Sequence, residues 1–76
     1  MFIDITLEIN ETRRDIKIDT EQKIKTGLEV LRQRGKLPMG QPPDFYRSTQ
    51  NQRLVSAHKT FAEEEVFDGD ILVAIM

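Results

Sequence analysis

Few side chains in this sequence combine a reactive type with a spacing that could support catalysis or metal binding. The one histidine, His58, stands beside Lys59 in a segment that predicts a loop, and there is no cysteine. Glu63, Glu64 and Glu65 offer carboxylates, but consecutive residues on a turn point in different directions and lack the spacing of a calcium loop. A lone loop histidine is most often solvated, and the alternative is a pH-sensitive contact. We therefore expect no catalytic residue, no metal site, no cofactor and no enzymatic activity.

Composition indicates a small domain that does not bind nucleic acid. A chain of 76 residues can form one such domain, which we expect to span residues 1–76. The net charge of −2 is spread over segments of mixed sign, so no basic face is predicted for a phosphate backbone. The first residues lack the pattern of a secretory signal, and no stretch approaches the roughly 18 to 20 apolar residues of a membrane span. The expected location is the cytoplasm.

The elements that position these residues begin with a hairpin. Residues 2–9 alternate strictly between apolar and other side chains, which is the period of a half-buried strand. Residues 10–12 supply turn chemistry, and residues 13–18 alternate again through Ile16 and Ile18. The first 18 residues therefore predict a β-hairpin with one apolar face.

That apolar face needs a cover, and the next segment has the pattern of an amphipathic helix. Asp19 or Thr20 can cap its start, with Gln22 placed to complete a capping box. The apolar stripe consists of Ile24, Leu28, Val30 and Leu31. Gly35 is expected to end the helix. Gly27 either permits close approach to the sheet or is a tolerated defect that costs about 1 kcal/mol relative to alanine.

The segment after the helix cannot be a regular element. Residues 37–43 hold all three prolines and predict a connector that returns the chain to the sheet. We expect Leu37 and Met39 to plug the open end of the core, the alternative being that they extend an exposed surface.

Three more strands complete the predicted architecture. The remaining elements are strands over residues 45–48, 53–55 and 71–76, a short helical turn over 61–65 and a tight turn over 68–70. The pattern leaves open whether Phe45 or Tyr46 faces inward. One helix on a mixed sheet of four or five strands is a two-layer α+β architecture.

The order of these elements resembles the ubiquitin-like β-grasp fold, in which the last strand lies centrally and pairs in parallel with the first. The most specific segments are residues 1–6, the helix exit at 35–38 and the closing segment at 60–72. Among β-grasp proteins the chain is most similar to the small bacterial ubiquitin-like proteins of the YukD (EsaB) type. That resemblance implies an accessory or regulatory component of a type VII, ESX-like secretion system.

The end of the sequence bears on the kind of chemistry that the resemblance implies. Ubiquitin is activated through a flexible tail that ends in two glycines, whereas residues 74–76 here are Ala, Ile and Met. We therefore expect non-covalent docking to protein partners instead of conjugation. The alternatives are a conjugated modifier or sulfur-carrier protein, and a small regulatory subunit of an enzyme complex.

The last strand is apolar on both faces, whereas a two-layer fold covers one face of its sheet. The resemblance to ubiquitin turns Leu72, Ala74 and Met76 inward. The predicted protein-binding surface comprises Phe2, Tyr46, Arg47, Ile71, Val73 and Ile75. The alternative is that neighbouring side chains, including the stem of Arg47, cover the strand. The same surface could also serve self-association.

Overall fold

The strands and the helix follow one another in the predicted order. The structure is a computed structural model that describes residues 1–37 and 40–75. Its elements are β1 (Phe2–Ile9), β2 (Thr12–Asp19), α1 (Ile24–Gln33), β3 (Phe45–Ser48), β4 (Arg53–Ser56) and β5 (Ile71–Ile75). The expected two-layer α+β architecture is confirmed, and the sheet has five strands within the described residues.

β5 lies at the centre of the sheet, in the strand order β2-β1-β5-β3-β4. It runs parallel to β1, with Thr6 opposite Ile71, and antiparallel to β3, with Phe45 opposite Ile75. Parallel strands need a long connection, and here the chain between β1 and β5 contains β2, α1, β3 and β4. The central, parallel last strand is therefore present as expected.

A two-residue turn joins β1 to β2. Asn10 and Glu11 both have left-handed backbone conformations, with φ of 48° and 68°. Such turns match the twist of the flanking strands, and asparagine tolerates this conformation better than most residues. The predicted turn is confirmed, and Glu11 carries a steric cost that glycine would avoid.

The core lies between the inner face of the sheet and α1. The buried residues of the hairpin are Ile3, Ile5, Leu7, Ile9, Ile16 and Ile18. Ile24 and Leu28 of α1 are completely buried, and Leu31 packs against this cluster at its margin. The later part of the chain adds five further buried side chains to this cluster and one from β5: Tyr46, Val55, Ala57, Phe61, Val66 and Leu72. The apolar side chains that alternate along the strands and the apolar stripe of α1 thus face the same core.

The connector contributes to the same interior. Leu37 is buried within the core cluster, which agrees with its expected role as a plug. Met39, expected to do the same, lies outside the described residues, and so does Met76 at the end of the inward set.

The start of α1 differs from the prediction. The helix begins at Ile24, and its N-cap Lys23 makes no side-chain capping bond. Asp19 Oδ1 instead accepts a hydrogen bond from the Glu21 amide, and Thr20 Oγ1 donates to the Met1 carbonyl. The predicted capping box at residues 19–22 is therefore wrong.

Backbone carbonyls from a distant segment take the place of that cap. The Ile24 amide donates to the Lys59 carbonyl, and the Lys25 amide to the Ala57 carbonyl, each at 2.9 Å. These bonds satisfy amides that have no partner within the helix. The start of α1 is thus set by tertiary contact with the segment after β4.

Gly27 lies where α1 closely approaches the segment before β5. A Cβ atom at this position would stand 3.4 Å from Phe61 Cε2 and 3.3 Å from Gln22 Oε1. The Phe61 distance is at the short end of ordinary van der Waals contact, and Gln22 Oε1 is the end of an exposed side chain. The close neighbour of Gly27 is therefore the segment before β5, not the sheet, and a side chain longer than alanine would meet the buried Phe61 ring. Gly35 ends the helix as expected, with φ of 73°.

The segment at residues 61–65 forms consecutive turns that open with a capping box. Thr60 Oγ1 accepts from the Glu63 amide at 3.0 Å, and a Glu63 carboxylate oxygen accepts from the Thr60 amide at 2.9 Å. These bonds lower the pKa of the Glu63 carboxyl group.

Candidate interaction surface

The outer face of β3, β4 and β5 carries a group of exposed apolar side chains. Phe45 lies opposite Ile75, while Arg47 lies between Val73 on β5 and Leu54 on β4. The exposed fractions are 49% for Phe45, 56% for Leu54 and 45% for Ile75. Ile71 and Val73 are half-buried beside them. We call Phe45, Leu54, Ile71, Val73 and Ile75 the outer apolar patch.

Tyr46 does not belong to this surface, so its prediction as an interface residue is wrong. Its side chain is completely buried and faces the core, because alternation along β3 turns Phe45 outward and Tyr46 inward. Burial raises the pKa of the Tyr46 hydroxyl, and the charge of Asp44 adds to the shift. The hydroxyl has no hydrogen-bond partner among the residues that the structure describes.

Phe2 is exposed but lies far from the outer apolar patch. In the parallel register of β1 and β5, Thr6 is opposite Ile71. Phe2 stands four positions before Thr6, and Ile75 stands four positions after Ile71, so about 26 Å separates them along the strands. The predicted grouping of Phe2 with the β5 residues is therefore not found.

The arginines of β3 and β4 differ in their partners. Arg53 donates to the Glu64 carbonyl at 2.6 Å and lies 3.9 Å from carboxylate oxygens of Glu64 and Glu65. Arg47 is exposed and makes no ion pair with any residue of the described ranges. A guanidinium group in the middle of an apolar surface can bind a carboxylate through two parallel hydrogen bonds. Arg47 is thus the residue that could select the charge of a partner.

Apart from Phe2, the other half of the outer face is polar, and several of its side chains pair with one another. Arg13 Nε lies 2.9 Å from Glu8 Oε1, and Thr6 Oγ1 donates to Asp15 Oδ1 at 2.8 Å. These side chains belong to β1 and β2. The apolar character of the outer face is therefore concentrated on β3, β4 and β5.

The residues considered for chemistry make contacts typical of a protein surface. His58 Nε2 lies 3.3 Å from Asp44 Oδ1, and Lys25 Nζ donates to the same oxygen at 2.7 Å. The pKa of the Asp44 carboxyl group is lowered, mainly by Lys25 and less by His58. Within residues 1–37 and 40–75, no group of three or more histidine, cysteine, aspartate or glutamate side chains could hold a metal ion.

The three consecutive glutamates diverge. Glu63 closes the capping box, and a Glu64 carboxylate oxygen accepts a hydrogen bond from the Ser56 amide at 2.6 Å. The Glu65 side chain is exposed, and its carboxylate lies 3.9 Å from Arg53. They therefore do not form a shared carboxylate site.

Leu54 and Phe45 are the surface residues that sequence reasoning missed. Leu54 precedes Val55, which is buried, so strand alternation would have placed Leu54 on the outer face. The order of aromatic residues at 45 and 46 carries no such signal, because both positions are aromatic.

Comparison with known proteins identifies the fold. No family model matches the chain, and no curated protein matches it. Among solved structures, the EccD5 ubiquitin-like domain from Mycobacterium xenopi matches with a TM-score of 0.63 at 15% sequence identity. The match covers 99% of this chain and 93% of that domain. The chain has the ubiquitin-like α+β fold, as the sequence resemblance implied.

Helix length also bears on how the protein could meet a membrane. In the part of the chain that the structure describes, no helix is both long and apolar enough to cross a bilayer.

Proposed function

We propose that this protein is a non-covalent interaction module that docks a partner protein on the outer apolar patch. The observation that carries the proposal is that Phe45 lies opposite Ile75 and that Leu54 follows on the next strand, opposite Arg47, with all three apolar side chains about half exposed. Contiguous exposed apolar side chains mark protein-binding surfaces, and aromatic residues are enriched at their centres.

Arg47 gives the surface its polar specificity. It lies among apolar residues, opposite Val73 and Leu54, without an ion-pair partner in the described ranges. A partner that fits this surface presents apolar side chains around one aspartate or glutamate. Such an arrangement buries apolar area and pairs the guanidinium group, which avoids the cost of an unpaired charge.

The setting that we propose is the cytoplasmic side of a type VII-like secretion system, where the protein acts as an accessory or regulatory component. Two observations support this setting. The sequence resembles the YukD type, and the fold is similar to the EccD5 ubiquitin-like domain. In this proposal the partner is a secretion component, and the mechanism is docking without covalent transfer.

Site-specific photo-crosslinking in cells tests the proposal. A photoreactive amino acid replaces Leu54 in one variant and Phe67, which is 58% exposed outside β3, β4 and β5, in a matched control. We expect Leu54 to crosslink to a secretion component that mass spectrometry identifies, and Phe67 to give no such product. Crosslinks to that component from Phe67 but not from Leu54 would contradict the proposed surface.

A further inference from the structure

The two edge strands of the sheet, β4 and β2, differ in how their outward backbone groups are covered. At β4, the Ser56 amide donates to Glu64 at 2.6 Å and the Arg53 guanidinium donates to the Glu64 carbonyl, so Glu64 covers part of that edge. At the other edge, β2 is eight residues long and has no strand partner other than β1 within the described residues. An open groove of about 500 Å³, bounded by Leu31 and Lys36, separates α1 from this edge.

Hydrogen-bonded and non-bonded residue pairs alternate along the β1–β2 ladder, and this alternation shows which backbone groups of β2 point away from β1. The Thr20 amide donates to the Met1 carbonyl, and hydrogen-bonded pairs recur at every second residue of an antiparallel ladder. Ile18 and Ile16 are therefore bonded to β1, whereas the amides and carbonyls of Asp15 and Lys17 point away from it. This edge can accept another antiparallel strand.

The charges on β2 specify which strand fits. Its outer-face side chains are Arg13, Asp15, Lys17 and Asp19, which alternate in sign. When two copies of β2 pair antiparallel about Ile16, Asp15 lies opposite Lys17 of the second copy. Arg13 then lies opposite Asp19, so all four cross-strand pairs are of opposite charge.

Neighbouring registers are disfavoured by the same charges. A shift by two residues in one direction places Asp15 opposite itself, and a shift in the other direction places Lys17 opposite itself. Like charges directly opposite are destabilising, so the register centred on Ile16 is selected both by attraction and by repulsion in the alternatives.

We propose that the protein forms a two-fold symmetric dimer in which two copies of β2 pair antiparallel about Ile16. The dimer joins two sheets into one continuous sheet and removes the free edge of each. The outer apolar patches lie toward the far ends of this sheet, because β3 and β4 are at the opposite side from β2. The dimer would therefore leave both patches free to bind partners.

Charge reversal with sedimentation equilibrium tests this proposal. Asp15→Lys and Lys17→Asp each place two pairs of like charge in the dimer, so each alone should weaken dimerisation by roughly tenfold or more. Both side chains are exposed. Asp15 accepts a hydrogen bond from Thr6, and Lys17 lies 3.9 Å from an Asp4 carboxylate oxygen. Circular dichroism should therefore show native structure in both variants.

The most discriminating sedimentation experiment uses an equimolar mixture of the two single variants. Asp15→Lys and Lys17→Asp chains carry complementary charges at the paired positions, so the mixture should dimerise although each variant alone is largely monomeric. Combining both reversals in one chain should also restore the dimer. These rescues would not follow from damage to the fold.

Leu54→Glu is the matched control, because it alters the outer apolar patch and leaves β2 intact. We expect its dimerisation to equal that of the wild type, even if partner binding is lost. The proposal is overturned if the wild type stays monomeric up to about 1 mM chain. It is also overturned if the mixture stays monomeric, or if Leu54→Glu and not the β2 variants abolishes the dimer.

Discussion

Ser48 Oγ donates a hydrogen bond of 2.5 Å to Asp70 Oδ2, and this bond joins the end of β3 to the residue that precedes β5. Both side chains are completely buried. Asp70 Oδ1 accepts from the Ile71 amide at 2.7 Å and from the Gln50 amide at 3.1 Å. One carboxylate thus organises the β3–β4 turn and the entry into β5, and thereby the two strands that carry most of the outer apolar patch.

Replacing Asp70 by alanine should strongly destabilise the protein. The substitution leaves the Ser48 hydroxyl and the Gln50 and Ile71 amides without their acceptor, at a cost of about 2 to 4 kcal/mol. Urea unfolding measures the change in the free energy of unfolding. The control is Glu21→Ala at an exposed position, which should stay within about 0.5 kcal/mol of the wild type. Similar losses for both variants would contradict the role given to Asp70.

Tyr46 should make stability depend on alkaline pH. Because burial raises its pKa, the folded protein keeps the phenol proton where the unfolded chain loses it. Its contribution is fully present below the ordinary tyrosine pKa of about 10 and is lost as pH rises above that value. Tyr46 is the only tyrosine in the sequence, so phenolate absorbance follows it directly.

Tyr46→Phe provides the matched variant. It removes the hydroxyl but keeps the ring, so stability at neutral pH should change by less than about 1 kcal/mol and its decline above about pH 10 should be smaller. Phenolate formation in the folded wild-type protein at the ordinary tyrosine pKa would contradict this account.

Glu11→Gly should stabilise the β1–β2 hairpin. Glu11 has φ of 68°, which glycine adopts without a Cβ clash, and Asn-Gly is a preferred pair for this turn. Glycine loses more backbone entropy on folding, which offsets part of the relief. We therefore expect the free energy of unfolding to rise by about 0.5 to 1 kcal/mol, seen as a higher melting temperature. Glu11→Ala keeps the Cβ atom and should show no gain. Equal effects of the two variants would refute the steric explanation.

Gly27→Leu should destabilise the contact between α1 and the segment before β5. The new side chain would start 3.4 Å from Phe61, whose ring is completely buried and has little room to move. Overpacking of this kind costs about 1 to 3 kcal/mol. Thr26→Leu, at the exposed neighbouring position, is the control and should be neutral or slightly stabilising. Chemical denaturation of both variants tests whether glycine is required at residue 27.

Sequence patterns predicted correctly those elements whose buried face depends on the spacing of nearby apolar residues. Alternation in β1 and the spacing of Ile24 and Leu28 gave the correct buried faces. The start of α1 was missed because its amides bond to the carbonyls of Ala57 and Lys59, which are distant in sequence. A capping box does occur, at Thr60 with Glu63, where no long helix follows.

The candidate site was predictable to a similar extent. Alternation and the resemblance to ubiquitin placed Ile71, Val73 and Ile75 on the outer face, where the structure has them half-buried or exposed. The distance of Phe2 from this set depends on the parallel register of β1 and β5, which no local pattern encodes. The inward direction of Tyr46 similarly depends on pairing with β4 and β5.

The central claim is that the outer apolar patch binds a partner protein, and Ile75→Asp tests it most directly. Ile75 is 45% exposed, so the variant should keep its fold, which thermal unfolding verifies. Its affinity for the partner identified by crosslinking at residue 54 is measured by titration calorimetry, alongside a Phe67→Asp control. We predict at least a roughly tenfold loss of affinity for Ile75→Asp and none for Phe67→Asp. Wild-type affinity in a folded Ile75→Asp variant would contradict the claim.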